Sequence, residues 1–173
     1  MILKIIGSIM VISASSFIGY FLSGDCSKRP VQLRILQDMI RMLENEIKFL
    51  SSYISEAFER ICSSIDSPVK EFFKATVEKL KNEPGMNASH AWEMAITENM
   101  HKTALNAEDK DILLAFGKML GNSDTEGQVK NIEFLLHQLN LQEKKAEENK
   151  RKNENLYKTL GLLGGIAAVL ILI

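Results

Sequence analysis

From Leu33 onward apolar residues return every seven positions: Leu33, Ile40, Ile47, Ile54 and Ile61 share one register, and Leu36, Leu43, Leu50 and Ala57 share another. Such spacing predicts a long amphipathic helix that packs through this seam, starting near Ser27-Lys28-Arg29-Pro30 and running to about Ile61. Pro30 suits a first helical turn, where its missing N–H is not needed, and Ser27 is a nearby cap. A second apolar line of Ile35, Met39, Met42, Phe49 and Tyr53 flanks the seam, so the helix should be covered on two sides, as in a bundle. Glu46 interrupts that second line.

Four further helices follow from the same pattern. Ser63 to Pro68 is a breaker cluster, with Ser67 and Pro68 placed as cap and first residue of a helix bearing Val69, Phe72, Phe73, Val77 and Leu80 on one face. Asn82-Glu83-Pro84-Gly85 ends it. A third helix begins between Asn87 and Ser89 and offers Ala91, Trp92, Ala95, Ile96 and Met100; Trp92, on the apolar face, is expected as a buried anchor. Asn106 caps a fourth with Ile112, Leu113, Phe116 and Leu120, and Gly121 is its stop. Ser123-Asp124-Thr125-Glu126 reads as a capping box for a fifth, with a core stripe at Val129, Ile132, Leu136 and Leu139. From Gln142 to Asn155 this last helix turns polar, the pattern of a solvated stalk, with contact to an acidic partner or lipid headgroups as the other reading.

The two ends of the chain differ from its middle. Ile2 to Leu22 is apolar for long enough to cross a bilayer, which takes about 20 helical residues. A cleaved signal peptide fits less well, because the apolar run continues past Ser13-Ala14-Ser15-Ser16, and a lipoprotein signal is broken by Asp25 before Cys26. Lys28, Arg29 and Arg34 follow this segment and only Lys4 and the amino terminus precede it, so the positive-inside rule places the central domain in the cytoplasm. Leu160 to Ile173 alone reaches about 21 Å as a helix, but starting at Leu156 with Lys158 snorkelling extends it to about 27 Å, so a second crossing is expected. Ser15 with Gly19, and Gly161 with Gly165, give both segments small residues at helix-contact spacing.

Composition changes this picture little. A net charge of -1 in 173 residues gives no reason to expect nucleic acid as a partner. Cys26 and Cys62 lack a zinc or disulfide pattern and read as reduced, structural cysteines. His90, His101 and His137 are not spaced as helical metal ligands, and no metal or cofactor is expected. There is no phosphate-binding loop, nucleophile elbow or evident pair of catalytic acids, so no enzyme is expected. What remains are surfaces. Arg34, Arg41 and Lys48 recur every seven residues as a basic stripe, either a solvated face or a dock for an acidic partner. Glu46 is either a buried, hydrogen-bonded acid or an exposed acid in a groove meant for another protein.

Several motifs carry a specific resemblance. Arg29-Pro30, Gln32-Leu33-Arg34, Leu36, Leu43-Glu44-Asn45-Glu46-Ile47, Ala91-Trp92-Glu93, Phe116-Gly117, Leu120-Gly121, Asp124, Gln128, Asn149 to Leu156 and Leu160-Gly161 occur in the order seen in the stage III sporulation protein AB family of endospore-forming bacteria, which the chain resembles along its whole length. Lys118 departs from it, since the family's Gly-Glu-x-Leu-Gly pattern puts an acid there. That family in turn resembles the cytoplasmic helical domain of the platform protein of type II secretion and type IV pilus machines, although Phe49 to Ser52 lacks the glycine often found in that domain's opening helix.

The expected fold is therefore all-α: a cytoplasmic antiparallel helical bundle framed by transmembrane helices. Its parts are an anchor over 1–23, a bundle with a polar stalk over 27–155, and a second membrane segment over 156–173. The resemblance implies a non-enzymatic platform component of the sporulation channel between mother cell and forespore, in the mother-cell membrane around the forespore. Its expected partners are the stage III sporulation protein AA ATPase and other membrane proteins of the same operon, with Arg34, Arg41, Lys48 and Glu46 as candidate docking residues. The alternative is a membrane-tethered helical scaffold or sensor with no ATPase partner.

Overall fold

The structure, a computed structural model, describes residues 7, 10, 13–15, 27–50, 54–83, 85–121 and 125–172. Among these there is no strand. The helices are α1 (Lys28–Asn45), which passes into a π-helical turn over Glu46–Leu50, then α2 (Ile54–Ser64), α3 (Lys70–Asn82), α4 (Ala88–Asn99), a 3-10 turn over Met100–Lys102, α5 (Ala107–Gly117) and α6 (Thr125–Leu172). The chain divides into two compact units, one formed by Arg29–Glu143 and the other by Met1–Lys28 with Lys144–Ile173.

In the Arg29–Glu143 unit the heptad seam forms one half of the core. Leu33, Leu36, Ile40 and Leu43 of α1 are fully buried, as are Ala57 and Ile61 of α2. Burial of one such Leu or Ile contributes about 1.5–3 kcal/mol, so the seam is a principal source of stability. The expected single helix to Ile61 is nevertheless interrupted. α1 ends at Asn45, the π-turn follows, and regular α-helix is described again from Ile54. A π-turn advances the chain by a wider turn than the heptad assumes. Periodicity alone hides the change because Leu43 before it and Ala57 after it are both buried.

Four aromatic rings from four helices fill the other half of the core. Phe58 of α2 and Phe73 of α3 meet edge to face at 4.9 Å, Trp92 of α4 lies 5.2 Å from Phe73 and 5.6 Å from Phe58, and Phe116 of α5 lies 5.9 Å from Trp92. The mutual tilts are those that aromatic quadrupoles favour. Trp92 is wholly buried, and its indole Nε1 donates to the Leu113 carbonyl at 2.8 Å, so the buried N–H is satisfied by α5.

The helix ends explain much of the local sequence. The Asn87 side chain accepts from the His90 N–H at the start of α4. At α5, Asn106 accepts from the Asp109 N–H while Asp109 accepts from the Asn106 N–H, a reciprocal capping box. Gly121 has φ +75°, the left-handed geometry of a helix stop. Ser67 departs from expectation. The turn Ser67 to Val69 opens α3 through backbone carbonyls, with the Lys70 N–H donating to Ser67 O at 3.0 Å, while the buried Ser67 hydroxyl has no hydrogen-bond partner among the described residues. The expected capping box at Ser123 to Glu126 begins on residues outside those described.

In the other unit, Ser13, Ala14 and Ser15 are helical and α6 continues to Leu172. Ser15 Oγ lies 3.8 Å from the point where a Cβ would stand on Gly164, so these two small residues lie against each other. Among the described residues no helix is long and apolar enough to cross a membrane. The expected anchor over 1–23 falls mostly on residues outside those described.

Candidate functional site

The candidate docking residues lie along α1 and its π-turn, and each is engaged by an acid or a base. Arg34, with its side chain 57% exposed, bonds Glu143 of α6 at 2.7 Å. Arg41 is also outward, and Asp38, one turn earlier on the same helix, is 3.1 Å away. Lys48 bonds Glu44, a contact that raises the lysine pKa above its usual value, and Glu133 lies 3.9 Å from it. Exposed pairs of this kind contribute little to stability and exchange readily for an incoming partner. Glu46 faces away from the stripe, with its side chain 16% exposed and its carboxylate held by Arg60 of α2 at 2.6 Å. Its position in the π-turn ties that irregular turn to the next helix.

A second polar constellation was not anticipated from the sequence. Asp109, fully buried, receives both Arg29 Nε and Nη2 at 2.8 Å, a fork-to-carboxylate pair. Arg29 Nη2 also donates to Gln142 Oε1 at 3.0 Å, and Gln142 Nε2 donates to Glu108 at 3.0 Å. Beside this group, Gln37 Nε2 donates to Glu143 at 2.6 Å, and Gln32 Oε1 accepts the Ala104 N–H at 2.7 Å. The junction joins α1, the segment entering α5, and α6. Gln142 and Glu143 were expected at the start of a solvated stalk, but Gln142 is buried and both are built into the bundle. The only sequence signal for this site was Arg29 at the head of the seam helix. Its partner lies 80 residues away, beyond any local periodicity.

Cys62 is half-buried and unpaired with another cysteine, and burial, followed by the nearby Glu71 charge, pushes its thiol up to about 11. Such a thiol is inert near neutrality. Cys26 lies outside the described residues. Among the described residues, no group of three His, Cys, Asp or Glu side chains is arranged to hold a metal ion.

Fold and site together define an all-helical bundle whose polar groups serve helix-to-helix ties and an outward charged face. The chain belongs to the stage III sporulation protein AB family, whose profile matches residues 4–173. It is 29% identical over 170 residues to the stage III sporulation protein AB of Bacillus subtilis (strain 168), spanning 98% of this chain and 99% of that relative. A solved structure of a stage III sporulation protein AB matches with a TM-score of 0.68 at 28% identity, over 72% of this chain and 98% of that one. The resemblance read from the motifs is thus established, and with it the helical fold and a role in sporulation.

Proposed function

We propose that the protein is a non-enzymatic membrane platform of the sporulation channel between mother cell and forespore. Its apolar ends anchor it in the mother-cell membrane around the forespore, over 1–23 and 156–173, and its bundle over 27–155 stands in the cytoplasm. There the stripe of Arg34, Arg41 and Lys48 docks the stage III sporulation protein AA ATPase, with Glu46 as a further contact off the stripe, while the anchors meet other membrane proteins of the operon. The observation that carries this reading is Arg41: an outward cation in the middle of the stripe whose counter-charge, Asp38, lies on its own helix, so it can engage a partner without opening the bundle.

The test is co-purification of the ATPase with the full-length protein from sporulating cells. Arg41→Glu is expected to lower ATPase recovery about tenfold, the size of one interfacial charge reversal, with the Trp92 emission spectrum unchanged. Full recovery with Arg41→Glu would remove the stripe as the dock. Failure of the unaltered protein to retain any ATPase would favour the membrane-tethered scaffold or sensor instead.

A further inference from the structure

The outward face of α5 is used by neither the polar junction nor the basic stripe. Asp111, Ala115 and Lys118 are exposed along it, and Ile112 and Met119 lie on its side toward α6. The helical course continues past Gly117, since the Lys118 N–H donates to Leu114 O and the Met119 N–H to Phe116 O, so all five residues share one helical face. Between α5 and α6 this face opens into an apolar groove of about 260 Å³. Phe134 of α6 lines the same groove and is 58% exposed, unusual for a large aromatic ring.

The order of residues on this face is self-complementary. Asp111 and Lys118 are seven positions apart on one edge, Ile112 and Met119 are seven apart on the other, and Ala115 lies between them. A twofold rotation that sets two copies of α5 antiparallel, with its axis beside Ala115, places each Asp111 opposite Lys118 of the other copy and each Ile112 opposite Met119. Parallel twofold pairing would instead set each charged edge against the apolar edge of the other copy, Asp111 against Ile112 and Lys118 against Met119. Ala115 is small enough to let the two helices approach to about 8–10 Å. Asp111 has no ion pair among the described residues, so its charge is unmatched by any of them. A twofold contact uses one surface twice and therefore requires this kind of symmetry in charge and shape. We infer that the α5–α6 groove is the contact face between two copies of this chain, related by a twofold axis at Ala115.

The experiment uses the full-length protein in membranes of producing cells, with Cys26→Ser and Cys62→Ser, and a single new cysteine at position 115. Oxidation of Ala115→Cys is expected to give a covalent dimer, with at least tenfold less from Lys74→Cys, an exposed position on α3. No dimer from position 115, or equal yields from both positions, overturns the inference. Asp111→Lys or Lys118→Asp alone should lower the dimer yield from position 115 about tenfold, because each sets like charges together twice, and exchanging both in one chain should restore it. With the Trp92 emission spectrum confirming folding of each variant, a doubly exchanged chain that stays monomeric refutes the twofold pairing.

Discussion

Gly117→Ala tests the close approach of α5 to Trp92. A Cβ at position 117 would stand 2.4 Å from Trp92 Cδ1 and 3.3 Å from its Nε1, where ordinary carbon contacts are about 3.5–4.0 Å, so ring or helix must retreat by about 1 Å. The indole has little room for this, being fully buried with Phe58, Phe73 and Phe116 around it. Overpacking of this kind costs about 1–3 kcal/mol. Any displacement that also breaks the 2.8 Å bond from Nε1 to Leu113 O leaves a buried donor unsatisfied, adding about 1–3 kcal/mol. The better helix propensity of alanine offsets at most about 1 kcal/mol, and less at the last residue of α5. The expected net loss is about 2–4 kcal/mol. Urea unfolding of the full-length protein in mild detergent, followed by emission of Trp92, the only tryptophan in the chain, measures it. With a slope of about 1–3 kcal/mol per molar urea, the midpoint should fall by roughly 1–2 M. Gly121→Ala is the comparison, because nothing lies closer than 3.9 Å to a Cβ there and only the φ of +75° opposes it, a cost of about 1–2 kcal/mol. A midpoint for Gly117→Ala equal to that of the parent, with unchanged Trp92 emission, would refute the close-approach argument.

Two further outcomes are expected. Asp109→Asn keeps a capping oxygen but removes the charge from the Arg29 fork, so stability should fall by about 3 kcal/mol, and Asp109→Asn with Arg29→Gln should cost clearly less than the sum of the single changes in the same unfolding assay; additive losses would deny the coupling. Cys62, raised from 9.0 to about 11 chiefly by burial, holds about a hundredfold less thiolate at neutral pH than an ordinary thiol, so in a Cys26→Ser chain its alkylation should be slow and rise with pH through 11, whereas in urea the rise should come near 9; equal folded and unfolded rates at pH 8 would contradict the assignment.

The sequence made the helices legible because most of them are short, bounded by residues with one structural use, and striped on one face. Asn106 was placed as a cap and serves as one, Asn87 was placed only near the start of its helix and proves to be its cap, Gly121 was placed as a stop and takes a positive φ, and Trp92 is the buried anchor its apolar face required. The misreadings share a physical cause. Ser67 satisfied a local rule for capping, but the preference belongs to whichever group reaches the free N–H first, and there the backbone carbonyls do. The π-turn at Glu46–Leu50 leaves no mark on a heptad whose residues on both sides still face the core. Among the candidate site residues, the seven-residue recurrence correctly set Arg34, Arg41 and Lys48 outward on one helix, but periodicity carries no information on which acid each one meets. Asp38 and Glu44 stand one turn before Arg41 and Lys48, at ordinary helical pair spacing, whereas Glu143, 109 residues from Arg34, became visible as a partner only in three dimensions.

The position of the Arg29–Asp109 junction gives it a meaning beyond stability. The Arg29–Glu143 unit is entered at Arg29 and left at Glu143, so the two residues where the chain crosses its boundary are themselves junction residues. Arg29 is fixed by a carboxylate that also caps α5, and Gln142 and Glu143 are fixed by Arg29, Gln37 and Arg34 of α1. Apolar residues of similar volume would hold these helices together at least as well, since a buried ion pair often gains little over a hydrophobic replacement. They would not fix which residue meets which, because apolar contact has no direction, whereas the fork of Arg29 fits the Asp109 carboxylate in one register. A slip of one residue along α1 would rotate Arg29 off Asp109 by about 100° and leave both charges unmatched. The junction therefore sets the registration of α1 against α5 and α6 at the point where chain enters and leaves the bundle, while the heptad seam supplies the attraction.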